Sequence, residues 1–276
     1  MAMATELVRL FKPKVILFNL IGTIIPLDWQ DECIEPFIRD NIHRFIEENW
    51  SKSEFVYEMI TIQFQQESIE HYFHNDRKDC PLVLNFNRDH SNWMDVIDSV
   101  EKFIHWQMVN TQLTMSNQTL ELLRLCWMDG YRKGMIKTKL FHDVKNNLNR
   151  WKSMNIQLAI LSLTMNNDVC RLILTSTNDG NISEMFDYYF DEQTIDGHYR
   201  QTELQFYQQI MQSMNISIGN EILLISNYGR DLKMAKENGN FQTLLLLRPL
   251  VNQQPPRSYY LIRFAHTDSL GRIEFV

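Results

Sequence analysis

Three short segments each follow an apolar run and carry side chains able to bind or react: Asn19-Leu20-Ile21-Gly22-Thr23, Ser162-Leu163-Thr164 and Ser226-Asn227-Tyr228-Gly229-Arg230. Between them they offer amides, hydroxyls and a guanidinium. Hydroxyls and amides orient polar ligands by hydrogen bonds, and Arg230 offers a fork for a phosphate or carboxylate. An amide has no anionic oxygen, so Asn19 is a very poor nucleophile. Asp231 is an acid directly after Arg230. At a helix start it answers the positive end of the dipole more readily than it holds a cation. Taken singly, an Asn at a strand end is ordinary loop chemistry. Gly22-Thr23 likewise has a conformational use, Gly for the turn and Thr for satisfying backbone groups.

Other chemistry-bearing residues fall outside those segments. His71 and His74 are three apart, but their neighbours supply no consistent ligand set, so they read as solvated surface. Cys33, Cys80, Cys126 and Cys170 are widely spaced and match no zinc or redox pattern. They read as reduced, mostly buried thiols. Met108, Met115 and Met128 read as core filling.

The elements that position the three segments follow from apolar patterning. Lys14–Asn19 (KVILFN), between Pro13 and Gly22, suits a fully buried strand of a parallel sheet. Gln157–Leu161, Glu221–Ser226 and Gln242–Leu247 are further apolar runs of strand length. Between them, Phe141, Val144, Leu148 and Trp151 fall on one helix face, as do Leu204, Tyr207, Ile210 and Met214. A helix is expected from Asn166 and another over Arg230–Asn238. Strands alternating with helices predict an α/β class with a doubly wound parallel sheet. From Asp31 the pattern is helical, for example Trp93, Val96, Val100, Phe103 and Gln107, with Ser91 as the cap. His71–Cys80 reads as a loop. The expected organisation is therefore a core of 1–30 plus 136–256, an inserted helical domain of 31–135, and a surface extension of 257–276 after Pro255-Pro256, with Tyr259-Tyr260 as the residues that would dock it. Ligands of such a sheet bind beyond the carboxyl ends of its strands, where the three segments converge.

The 276 residues are 44% hydrophobic, enough for a sizeable core, and the net charge of −7 argues against a general nucleic-acid partner. No signal-like or membrane-spanning run is evident. The expectation is a cytoplasmic protein, with the nucleus also open to it, and no membrane partner.

Set in order, these segments resemble the enolase-phosphatases (acireductone synthases) of the haloacid dehalogenase superfamily. That family reads roughly Val-Ile-Leu-Leu-Asp-Ile-Glu-Gly-Thr-Thr-Thr-Pro where this chain has Val15 to Pro26, VILFNLIGTIIP. Glu35-Pro36-Phe37, Trp50, Phe141-His142-Asp143-Val144, Arg150-Trp151, Gly197-His198, Arg230 and Arg248-Pro249 extend the likeness from about residue 14 to 250. The resemblance implies a haloacid dehalogenase-like core with a helical cap. It also implies the methionine-salvage reaction, in which a diketo phosphate (2,3-diketo-5-methylthiopentyl-1-phosphate) is enolised and dephosphorylated. In that family an Asp forms an aspartyl-phosphate beside a Mg²⁺ ion held by that Asp, a Glu and a late Asp.

Residue by residue, the chain departs from that pattern. The nucleophile position is Asn19, the Glu position Ile21 and the late Asp position Asn227. Ser162 keeps the first serine of the second motif, and Leu163 replaces the second. The substrate lysine falls on Tyr199 or Gln201, with Arg200 beside them. Loss of a nucleophile alone typically costs ~10⁴–10⁶ in rate, and here every acid of the constellation is missing together. The expectation is a pseudophosphatase with no cofactor, whose candidate ligand residues are Ser162, Arg200 and Arg230. It would bind a small phosphorylated metabolite or a protein partner. The alternative is an active Mg²⁺-dependent enolase-phosphatase using substitute residues such as Ser162 or Asp231.

Overall fold

The computed structural model describes residues 7–50, 59–75, 77–85, 93–110, 115–191, 203–248 and 258–276. The chain divides into two compact units, Met1–Gln30 with Lys137–Val276 and, between them, Asp31–Ile136.

The first unit opens with β1 (Val8–Leu10) and β2 (Val15–Asn19). The inserted unit is helical. Its α1 (Glu35–Asn49) starts with Pro near its N-terminus, where the missing N–H costs nothing. Ile38, Ile42, Phe45 and Ile46 form its buried stripe. Wide and regular helical turns run on through Met59–Phe64, α2 (Gln65–Ile69) and Glu70–His74. The polar stretch expected as a loop from His71 is thus helical as far as His74, because the helix entering it continues and leaves His71 against the Trp106 ring, centroids 5.3 Å apart. Next come α3 (Trp93–Val109), burying Val96, Val100, Phe103 and Gln107, and α4 (Asn117–Arg132), capped by Ser116. Ser91, expected to cap α3, lies outside the described residues. A Cβ on Gly130 would meet the Phe37 ring at 2.4 Å, so α1 and α4 approach through a glycine.

Back in the first unit the order is α5 (Val144–Ser153), β3 (Gln157–Ser162), α6 (Asn167–Thr175), β4 (Tyr188–Asp191), α7 (Glu203–Ser213), β5 (Ile222–Ser226), α8 (Gly229–Gly239), β6 (Gln242–Leu246), α9 (Ser258–Arg263), β7 (Ala265–Thr267) and β8 (Ile273–Phe275). The main sheet has six strands in the order β4-β3-β2-β5-β6-β7, every neighbouring pair parallel. The apolar runs of β2, β3, β5 and β6 are buried almost throughout, as a sheet covered on both faces requires. The order reverses direction between β2 and β5. The carboxyl ends of those two strands therefore flank the topological switch point, where a crevice forms.

Asparagine replaces glycine at helix exits in a chain with only 9 glycines. Asn155, Asn215 and Asn240 follow α5, α7 and α8 with φ of 60°, 54° and 54°. The left-handed turn that ends a helix admits Asn nearly as well as Gly.

The C-terminal segment corrects the sequence reading. Residues 258–276 of the expected surface extension are part of the core domain. Ala265–Thr267 adds the sixth strand to the sheet beside β6, and Ile273–Phe275 pairs in parallel with β1 as a separate two-stranded sheet. Phe264, Leu270 and Ile273 are buried, and that apolar burial is the reason the segment docks rather than trails.

Candidate functional site: the crevice at the strand ends

The loop after β2 is closed on itself. Ile24 and Ile25 donate backbone N–H to the Leu20 carbonyl, both at 3.1 Å, and Gly22 donates to the Ile25 carbonyl at 2.6 Å. Gly22 is needed twice over. Its φ is +83°, and a Cβ there would meet the Asn227 amide nitrogen at 2.3 Å. The Asn227 side chain thus lies directly on Gly22. The Oδ1 of Asn227 is buried and has no partner among the described residues.

Asn19 and Asp231 are 212 residues apart in sequence, and the Asn19 amide nitrogen donates to Asp231 Oδ2 at 3.0 Å. Ser226 Oγ donates to the same oxygen at 3.3 Å and accepts from the Tyr228 N–H at 3.0 Å. The acid of this loop is therefore spent on protein donors. Burial pushes the Asp231 carboxyl above the ordinary range, opposed by the hydrogen bonds from Asn19 and Ser226 and by the charge of Arg230. Ile21 is half-buried and forms a bridge to Ile25, with no heteroatom in its side chain.

Ser162 is buried, and its Oγ accepts the Met165 N–H at 3.1 Å, bracing the turn into α6. Leu163 and Tyr228 are about half exposed at the ends of β3 and β5, giving the crevice an apolar margin. Arg230 is exposed in the first turn of α8. Arg200, Tyr199, Gln201 and Gly197-His198 lie outside the described residues. The structure thus gathers Asn19, Ile21, Asn227 and Asp231 at the ends of β2 and β5, with Ser162 on the neighbouring strand β3.

Near this site, Asp191 escaped the sequence reading, and Asp143 was named there only within the segment Phe141–Val144, without its partner. Asp191, at the end of β4 beside Ser162, is buried and accepts the Asn167 N–H at 2.7 Å, so it serves the start of α6. The apolar Tyr188–Phe190 run ending on an acid is the signal that could have found it. Asp143 and Arg248, both buried, form an ion pair at 2.8 Å. Arg248 also donates to the Thr23 carbonyl from Nε at 3.3 Å and Nη2 at 3.1 Å, and lies 4.2 Å over the Phe141 ring. Asp143 Oδ2 further accepts from Ser269 Oγ and the Leu270 N–H, each at 2.8 Å. One buried cluster therefore ties the loop after β2 to the C-terminal segment.

Comparison with known proteins fits this geometry. No protein-family model matches the chain. It is 25% identical over 248 residues to the enolase-phosphatase E1 of Parasynechococcus marenigrum, covering 90% of this chain and 94% of that protein. It is 27% identical over 229 residues to that of Aquifex aeolicus, covering 82% and 86%. The chain is similar to the enolase-phosphatases over most of its length. Among solved structures, the UTR4 protein of Saccharomyces cerevisiae superposes with a TM-score of 0.65 at 16% identity, over 94% of this chain and 99% of that one. That likeness speaks to the fold: a haloacid dehalogenase-like α/β core with a helical insertion.

Against the enolase-phosphatase frame, the family's Mg²⁺ does not fit the residues present. Mg²⁺ needs near-octahedral hard oxygens, usually including carboxylates. Here position 19 turns an N–H toward Asp231, position 21 is apolar, and position 227 is a neutral amide packed on Gly22. Entry of a cation would require Asp231 to surrender two hydrogen bonds for a site of one negative charge. Among the described residues no helix is long and apolar enough to cross a membrane.

Proposed function

We propose that this chain is a catalytically silent relative of the enolase-phosphatases, a pseudophosphatase of methionine-salvage ancestry that keeps the fold and transfers no phosphoryl group. The hydrogen bond from the Asn19 amide to Asp231 carries this reading. It puts a donor where an attacking oxygen is needed and occupies the acid that could have substituted. The role left to the crevice is binding. Arg230 is exposed at its edge and suits the phosphate of a small metabolite, and the half-exposed Leu163 and Tyr228 suit its apolar part or a protein partner. The compartment proposed is the cytoplasm.

Phosphate release from 2,3-diketo-5-methylthiopentyl-1-phosphate with millimolar Mg²⁺ tests the reading. The purified chain is expected to release none above the protein-free rate. The triple variant Asn19→Asp, Ile21→Glu, Asn227→Asp is expected to gain Mg²⁺ binding by titration calorimetry. Turnover by the unaltered chain that disappears in Asp231→Asn would establish instead the rival, an active enzyme using a substitute acid.

A further inference from the structure

The crevice has lost its ligands, yet another part of the molecule brings metal-ligating side chains together. His43 stands on α1, and Asp98 and Glu101 stand on α3. The two helices pack against each other within the inserted unit. Buried Ile42 and Ile46 fix the inward face of α1, and Ile97, Val100 and Ile104 fix that of α3. His43 follows Ile42, and Asp98 and Glu101 each follow one of those core residues, so all three lie at the border between core and solvent. Asp98 and Glu101 are three apart, which sets them on one side of the helix a turn from each other.

The ligand atoms are already close. His43 Nε2 lies 2.9 Å from Asp98 Oδ1, and one ligand atom from each of the three residues falls within 4.8 Å of the others. With bonds of about 2.0–2.2 Å, two ligands of one ion are separated by at most about 4.4 Å. Small side-chain rotations therefore close the set around a centre. His43 and Glu101 are half-buried and Asp98 is exposed, so rotation is cheap and an ion can enter from solvent. Two carboxylates facing one imidazole also leave a local excess of negative charge.

We propose that His43, Asp98 and Glu101 form a divalent transition-metal site, suited to Zn²⁺, that staples α1 to α3. One nitrogen and two oxygen donors favour Zn²⁺ over Mg²⁺ or Ca²⁺, which seek oxygen. Water completes the coordination at the open side. The site is separate from the phosphatase crevice, with ligands from different elements, and does not depend on whether that crevice is active.

Titration of the full chain with ZnCl₂, read by a competing fluorescent chelator under reducing conditions, tests it. One saturable ion per chain is expected. His43→Ala and, separately, Asp98→Asn with Glu101→Gln are expected to weaken it at least ~10-fold. A Zn²⁺-dependent rise in the unfolding temperature should vanish in both, while circular dichroism reports that both still fold. Excess Mg²⁺ should not compete. Absence of saturable uptake, or uptake unchanged in both variants because the thiols or other histidines supply it, would overturn the proposal.

Discussion

Two clusters meet the loop that follows β2, and they differ in charge. On the crevice side, the positions that would carry charge are Asn19, Ile21 and Asn227. On the other side, Asp143 and Arg248 keep full charges in the interior, each bonded to the other and to further groups. The contrast separates what chemistry needs from what folding needs. Carboxylates crowded at a strand end repel one another, and the neutral Asn19, Ile21 and Asn227 add no such repulsion. A buried Asp–Arg pair is different. Removing either partner leaves the other charged and dry, so neither can be lost alone.

The comparison breaks most readily at Arg248. Arg248→Ala strands Asp143 and releases the Thr23 carbonyl, at an expected cost of about 3–5 kcal/mol, read from chemical denaturation at pH 7. Asp143 also carries a pH signature. Burial pushes its carboxyl up, but the bonds and charge of Arg248, with Ser269 and the Leu270 N–H, outweigh that and hold it below the ordinary range. A depressed acid contributes stability above its unfolded value that is lost as pH falls through the folded one. The unaltered chain should therefore shed stability on acidification. Arg248→Ala should shed less, and equal acid slopes in the two proteins would mean that the pair is not what holds the C-terminal segment.

Asn19→Asp sharpens the other side. It replaces an N–H donor 3.0 Å from Asp231 Oδ2 with a second carboxylate. Two carboxylates this close share a proton rather than both ionising. The expected loss is on the order of 1–3 kcal/mol at pH 7, shrinking toward pH 5 as the pair takes up that proton. Thermal unfolding across this range measures it. A variant as stable as the parent at pH 7 would show that the crevice still tolerates the charges it has lost, and would weaken the case that Asn19 is built into Asp231's environment.

How much of this was legible in the sequence depends on the range of the interaction. The apolar runs of β2, β3, β5 and β6 declare themselves because a parallel strand covered on both faces is apolar at nearly every position. β1, β7 and β8 have three residues each and exist only because a distant strand pairs with them, so no local pattern could reveal them. The same limit applied to the C-terminal segment: its docking depends on Leu270 and Ser269 meeting Asp143 across more than 120 positions. At the crevice, the residue types alone showed that Asn19, Ile21 and Asn227 carry no charge. Only the fold revealed that Asp231 turns toward Asn19, and that Asn227 sits on Gly22.

The smallest effect belongs to Asp231 itself. Asp231→Asn keeps an oxygen to accept from Asn19 and Ser226 and removes only the charge. Burial raises the carboxyl of Asp231, against the pull of Asn19, Ser226 and Arg230. A raised acid contributes stability that is complete below its unfolded value and disappears as pH climbs through the folded one. Ionising the half-buried Asp231 as pH rises therefore costs the unaltered chain stability, a cost the variant does not carry. The stability of Asp231→Asn relative to the parent should rise between pH 4 and pH 7 by less than about 1 kcal/mol, solvent screening keeping the value small. A flat difference across that interval would place the hydrogen bonds from Asn19 and Ser226 above burial in setting the charge of the crevice. Asn19 would then stabilise an anion there rather than occupy an acid that burial already disfavours.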